Sequence, residues 1–139
     1  MRKDAKIELL LKVPLFTRCS KRELAAVAAL ADEVILPEGH TLIRAGAQAY
    51  SFFVLVEGTA EVSQGDRVVA TLGPGDFLGE LALILHRPRT ATVTLTSPAR
   101  LLAVSAHNFR PLLERSPQLQ FKLLETLAER TLMDTGLEQ

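Results

Sequence analysis

The chain has 139 residues, 47% hydrophobic and 23% charged, enough for one domain with a real core and too short for two ordinary ones. Sixteen basic residues balance sixteen acidic ones, so the whole-molecule attraction that draws proteins to nucleic acid or anionic membranes is missing, and neither is expected as a partner. The single cysteine, Cys19, cannot form an internal disulfide, and no apolar run reaches the length of a bilayer span or a signal-peptide core, so the chain reads as cytoplasmic.

Taken in chain order, residues 3 to 12 carry Ile7, Leu10 and Leu11 among charged neighbours, which predicts a short amphipathic helix ending before Pro14. Ser20 with Glu23 three residues later is a capping-box pattern, and Leu24, Val27, Ala28 and Leu30 supply the apolar face of a helix over roughly residues 21 to 31. Cys19 falls just before that cap and has no second thiol or nearby histidine to act with. From Glu33 to Ala106 the pattern changes. β-Branched and aromatic residues cluster in short runs separated by Pro37-Glu38-Gly39, Gly46, Gly58, Gly65-Asp66, Gly73-Pro74-Gly75 and Ser97-Pro98. Several short strands at regular spacing predict an antiparallel barrel or double-sheet roll, interrupted by one helical turn starting near Gly79. After the strands, Ala106 to Arg115 reads as a helix, and Ser116-Pro117 as a second cap with proline at the first helical position. The last helix carries two apolar stripes, Leu119/Leu123/Leu127 and Phe121/Leu124/Ala128/Leu132, a wider face than docking on one surface requires. One domain over residues 1–139 follows, with helices over 1–31, the β-roll over 32–105 and closing helices over 106–134.

The chemistry concentrates in the run from Gly79 to Val93, inside the β-roll. A glycine followed by a short apolar helical turn offers unpaired backbone N–H groups and the positive end of a helix, which favour an anion. Glu80 can accept a hydrogen bond from a sugar hydroxyl, and Arg89, nine residues later, can donate a forked pair to a phosphate. Each residue also has a bland reading. Arginines in strand-entry turns are usually surface residues, a carboxylate suits a helix first turn, and Ala82 is explained by helix propensity alone.

The stretch resembles the phosphate-binding cassette of the cyclic-nucleotide-binding domain family, close to Phe-Gly-Glu-x-Ala-Leu, a spacer, then Arg-x-Ala-x-Val. The likeness extends to Ser51-Phe52-Phe53-Val54-Leu55-Val56-Glu57-Gly58 and Leu72-Gly73-Pro74-Gly75-Asp76 and covers most of residues 10 to 134. Where the family usually has an aromatic directly before the cassette glycine, Leu78 stands here and Phe77 precedes it. The resemblance implies that Arg89 holds the equatorial phosphate oxygen of a cyclic nucleotide, that Glu80 holds the ribose 2′-hydroxyl, and that the backbone of Gly79, Glu80, Leu81 and Ala82 lines the ribose and phosphate. Thr90 bears on the base: its hydroxyl could accept from the 2-amino group of a syn guanine, while strand propensity explains it equally well.

His40, His86 and His107 are widely spaced and form no metal-ligand pair, which disfavours a metal-dependent cupin, and no nucleophile has a recognisable local motif. The expectation is therefore a regulatory domain without catalysis or cofactor that binds cAMP, with cGMP as second candidate, and reports occupancy through its C-terminal helices. In the family these act as a lid over the base, for which Thr131, Thr135 or Arg130 could supply polar contacts and Leu124, Leu127 or Leu132 apolar ones. The surplus apolar stripe also permits a homodimer through paired last helices. The alternative is a nucleotide-independent protein-interaction module on the same fold, or the sensory fragment of a transcription factor, channel or kinase regulator.

Overall fold

The computed structural model describes residues 2–48, 50–79 and 89–135. Helix α1, Lys3–Leu10, is followed by a 3-10 turn at Pro14–Phe16 and by helix α2, Lys21–Leu30. The capping box closes as predicted: Ser20 Oγ accepts from the Glu23 N–H and the Glu23 carboxylate accepts from the Ser20 N–H, at 3.1 and 3.0 Å. Eight strands follow among the described residues: β1 Asp32–Leu36, β2 Thr41–Ile43, β3 Ser51–Glu57, β4 Ala60–Gln64, β5 Arg67–Leu72, β6 Phe77–Leu78, β7 Thr92–Leu95 and β8 Ala99–Ser105. Helices α3, Ala106–Glu114, and α4, Pro117–Thr135, complete the chain.

The strands form two antiparallel four-stranded sheets, ordered β1-β8-β3-β6 and β2-β7-β4-β5. Neither order follows the chain. Successive strands other than β4 and β5 lie in opposite sheets, so the connections carry the chain back and forth between them, the arrangement of a β-roll. Side-chain alternation along β8 assigns its residues to two cores. Leu101 joins Ile43, Leu55, Leu78, Val93 and Leu95 between the sheets, whereas Leu102 and Val104 face outward into a second core with Phe52 and Val54. The helices cover that outer face through Leu10, Phe16, Val27, Phe109, Leu112 and Leu123. The central strands β3 and β8 of the first sheet are thus covered on both sides, and the apolar-lined space beneath the helices is the interior of this second core.

Two local expectations are corrected. Leu11, assigned to the apolar face of the first helix, is half-exposed, because α1 ends at Leu10 and only Ile7 and Leu10 reach the core. Ser116 precedes a helix with proline at its first position, but its Oγ is buried and finds no hydrogen-bond partner among the described residues. The helix starts at Pro117 as read, with Gln120 N–H donating the first intrahelical bond to the Ser116 carbonyl at 3.0 Å, but the hydroxyl adds no cap bond to it. Of the two stripes on α4, Leu119 and Leu123 are buried, whereas Phe121 and Leu124 remain 56% and 67% exposed. Arg18 and Lys122 both reach the Glu125 carboxylate, tying α4 to the segment before α2; Lys122, and then Arg18, hold that carboxyl below its usual range.

One glycine is fixed by crowding as well as by conformation. Gly58 turns the chain from β3 into β4 with φ +99°, and a Cβ there would meet the Pro98 carbonyl oxygen at 2.5 Å. Gly39 has a similar φ, +86°, with nothing within 4 Å. Gly39→Ala should therefore cost about 1 kcal/mol and Gly58→Ala at least about 3 kcal/mol, since strain and a main-chain clash add. Urea unfolding of the two variants checks the difference, and equal losses would contradict the crowding.

Candidate functional site

Arg89 lies just ahead of β7 in the run from Gly79 to Val93. Its backbone is clipped to the turn between β2 and β3: the Arg89 N–H donates to the Ala47 carbonyl at 2.9 Å and the Arg89 carbonyl accepts from the Gly46 N–H at 2.8 Å. Gly46, at φ +82°, makes that turn, and Thr92 Oγ1 accepts from the Ala45 N–H at 3.0 Å, holding the turn to the start of β7.

The side chain is fixed as firmly. Only 8% of Arg89 is exposed. Nη1 donates to the Gly79 carbonyl at 2.7 Å and Nη2 to the Ser51 carbonyl at 2.6 Å, both short enough for charge-assisted bonds. The reason lies in the strand pairing. Strands β3 and β6 pair at Phe53–Leu78 and Val54–Phe77, and β6 ends there because Gly79, at φ +92°, turns the chain away. The guanidinium inserts where the two strands part and takes one carbonyl from each. A Cβ on Gly79 would lie 2.8 Å from Nη1 and 3.0 Å from the Ser51 oxygen, so the glycine is what admits the arginine.

A planar guanidinium gripped by two carbonyls keeps a fixed orientation, and its fork of five N–H groups suits an oxyanion with little side-chain entropy left to lose. The site residues read from the sequence therefore divide. Arg89 and Gly79 stand in contact, and Thr90 follows with its side chain exposed. Glu80, Leu81 and Ala82, with His86 in the spacer, lie outside the described residues, as do the side chains of Arg130, Thr131, Leu132 and Thr135. Sequence reasoning missed Ser51, Gly46, Ala47 and Thr92 as supports. Three of these four act through main-chain groups, which every residue type carries. Among the described residues, no group of three or more His, Cys, Asp or Glu side chains is placed to hold a metal ion, and no helix is long and apolar enough to cross a membrane.

Residues 33–116 match the cyclic nucleotide-binding domain, which is more than half of the chain. The chain belongs to the cyclic nucleotide-binding domain family. A cyclic nucleotide-gated potassium channel of Rhizobium etli is 34% identical over 123 residues, 88% of this chain and 34% of the channel. A cAMP-dependent protein kinase regulatory subunit of Mycosarcoma maydis is 39% identical over 105 residues, 70% of this chain and 20% of that subunit. Among solved structures, cAMP-bound PfPKA-R superposes with a TM-score of 0.84 at 24% identity, over 99% of this chain and 48% of that one, a likeness of fold. The chain thus spans 34% of the channel and 20% of the kinase subunit, well under half of either. The antiparallel roll with flanking helices expected from the strand pattern is the fold of this family.

Cys19 lies outside this site. Burial, and then the Glu23 carboxylate, push its thiol from 9.0 up to about 11. At pH 8 that leaves about a hundredfold less thiolate than an ordinary cysteine holds, so alkylation by iodoacetamide should be slower in the folded protein by about that factor and recover in urea. Equal rates in both states would show the thiol to be unperturbed.

Proposed function

We propose that this chain is a cyclic nucleotide sensor that binds cAMP, with cGMP as the weaker candidate, and acts by regulation rather than catalysis. The observation that carries the reading is the buried, doubly gripped guanidinium of Arg89 at the start of a strand whose sequence fits the phosphate-binding cassette. In this reading Arg89 bonds the equatorial phosphate oxygen and the Glu80 carboxylate accepts from the ribose 2′-hydroxyl. The backbone of Gly79, Glu80, Leu81 and Ala82 lines the sugar and phosphate, and Thr90 stands beside the base. The likeness to a cAMP-dependent kinase regulatory subunit and to a nucleotide-gated channel supports a role as the sensing part of a regulated system in the cytoplasm, with occupancy passed on through α3 and α4.

Titration calorimetry of cAMP and of cGMP into nucleotide-stripped protein tests this. Saturable binding should weaken by tens-fold or more in Arg89→Ala, because losing one partner of a buried charged contact costs about 2–5 kcal/mol. Glu80→Gln should cost less, since an amide oxygen still accepts from the hydroxyl. Unchanged affinity in a folded Arg89→Ala variant would remove the arginine from the site. No heat with either nucleotide, in folded and empty protein, would favour the interaction module.

The same reading includes a homodimer through α4, whose Phe121, Leu124 and Ala128 form an exposed stripe one turn apart from the next. Phe121→Glu with Leu124→Glu should convert a dimer to a monomer in sedimentation without lowering the melting temperature of the monomer. A parent protein that sediments as a monomer at high concentration would rule this contact out.

A further inference from the structure

The two carbonyls that hold Arg89 are not equivalent in what lies behind them. The Gly79 carbonyl ends a two-residue strand, but the Ser51 carbonyl belongs to the first residue of β3, one of the central strands of the sheet beneath the helices. Ser51 pairs in register with Ser105, the last residue of β8, and the pairing runs one step beyond both strands: the Tyr50 carbonyl accepts from the Ala106 N–H at 2.7 Å. Ala106 is the first residue of α3, and Ser105 is its cap, with Oγ accepting from the Asn108 N–H. Neighbouring carbonyls on an antiparallel strand point to opposite sides. Ser51 accordingly faces the arginine while Tyr50 faces the helix.

We propose that the Tyr50–Ser51 segment couples Arg89 to α3, so that the state of the guanidinium is read at the first peptide of that helix. This rests on the cyclic-nucleotide reading of the site. It adds a route that runs under the sheet edge and is separate from any closure of α4 over a base. The chain of contacts has three links: Nη2 to the Ser51 carbonyl, one shared residue of backbone, and the Tyr50 carbonyl to the Ala106 N–H. A phosphate drawing on the same guanidinium competes with the Ser51 carbonyl for its donors. Loosening that bond frees the start of β3 to rotate, and the bond at Ala106 delivers this to the first peptide of α3, while the Phe52–Phe109 ring contact, centroids 5.1 Å apart, joins β3 to the same helix further along. The segment acts through its position and its carbonyls, so Tyr50 and Ser51 are positioning residues and their side chains are not the working part.

Two variants separate this from a structural role. Ala106→Pro deletes the single donor and should fold, because proline is well accepted at the first helical position and Ser105 already has the extended conformation, φ −64° and ψ 155°, that precedes a proline. Calorimetry on this variant should give a cAMP affinity within about threefold of the parent, while the cAMP-induced change in amide exchange that NMR should record in the first turn of α3 in the parent is lost. The second variant, Arg89→Ala, is measured without any nucleotide. Its Ala106 amide should exchange about tenfold faster or more, as expected when a charged hydrogen bond anchoring the strand is removed, with the amides of β1 unchanged. Retention of the full α3 response in Ala106→Pro would overturn the coupling. So would an unchanged Ala106 exchange rate in Arg89→Ala, which decides the matter even if the proline variant fails to fold. Absence of calorimetric binding in the parent would instead overturn the functional reading, and the coupling with it.

Discussion

The bond pair between the Arg89 guanidinium and the carbonyls of Gly79 and Ser51 is the contact on which the candidate site depends. A cation at this depth must have its donors matched, and the protein provides acceptors by ending the β3–β6 ladder two residues after it begins. Glycine at position 79 follows from the same requirement, since any side chain there would occupy the space of the guanidinium. The turn at Gly46 and Ala47 then fixes the arginine from its backbone side. Side chain and main chain of one residue are therefore anchored by three separate segments, which places the positive charge at a defined point before any ligand arrives.

How much of this is legible beforehand depends on the range of the interaction. The capping box of Ser20 and Glu23 is written within four residues, and the structure forms both of its bonds. Strand positions follow from alternation and turn residues, both local signals, and the roll is the outcome. The spacing from Glu80 to Arg89 singles out the arginine for the same reason. What holds the arginine is not legible, because Ser51 lies 38 residues away and takes part through a carbonyl that any residue would present. Leu11 fails for a related reason: periodicity marks it as apolar, but where α1 stops decides which side chains reach the core.

Ser116 shows the limit of cap signatures. Serine before proline suits a helix start and the helix does begin at Pro117, yet the Ser116 hydroxyl is buried and makes no cap bond among the described residues. Its environment was set by the packing of α3 against α4, which no local pattern encodes. The exposed Phe121 and Leu124 make the complementary point. Their stripe reads as surplus to what one docking surface requires, and it stays uncovered while Leu119 and Leu123 are buried.

The first sheet separates two apolar interiors, one shared with the second sheet and one shared with the helices. Neighbouring residues of β8, Leu101 and Leu102, serve different interiors, so the layers meet along a wall one strand thick. Each interior keeps its own complement of side chains. Separating the helical layer from the sheet would uncover Phe52, Val54, Leu102 and Val104 but none of the side chains enclosed between the sheets, so the molecule has two distinct seams, and a displacement of the helices is felt first on the outer face of β3 and β8.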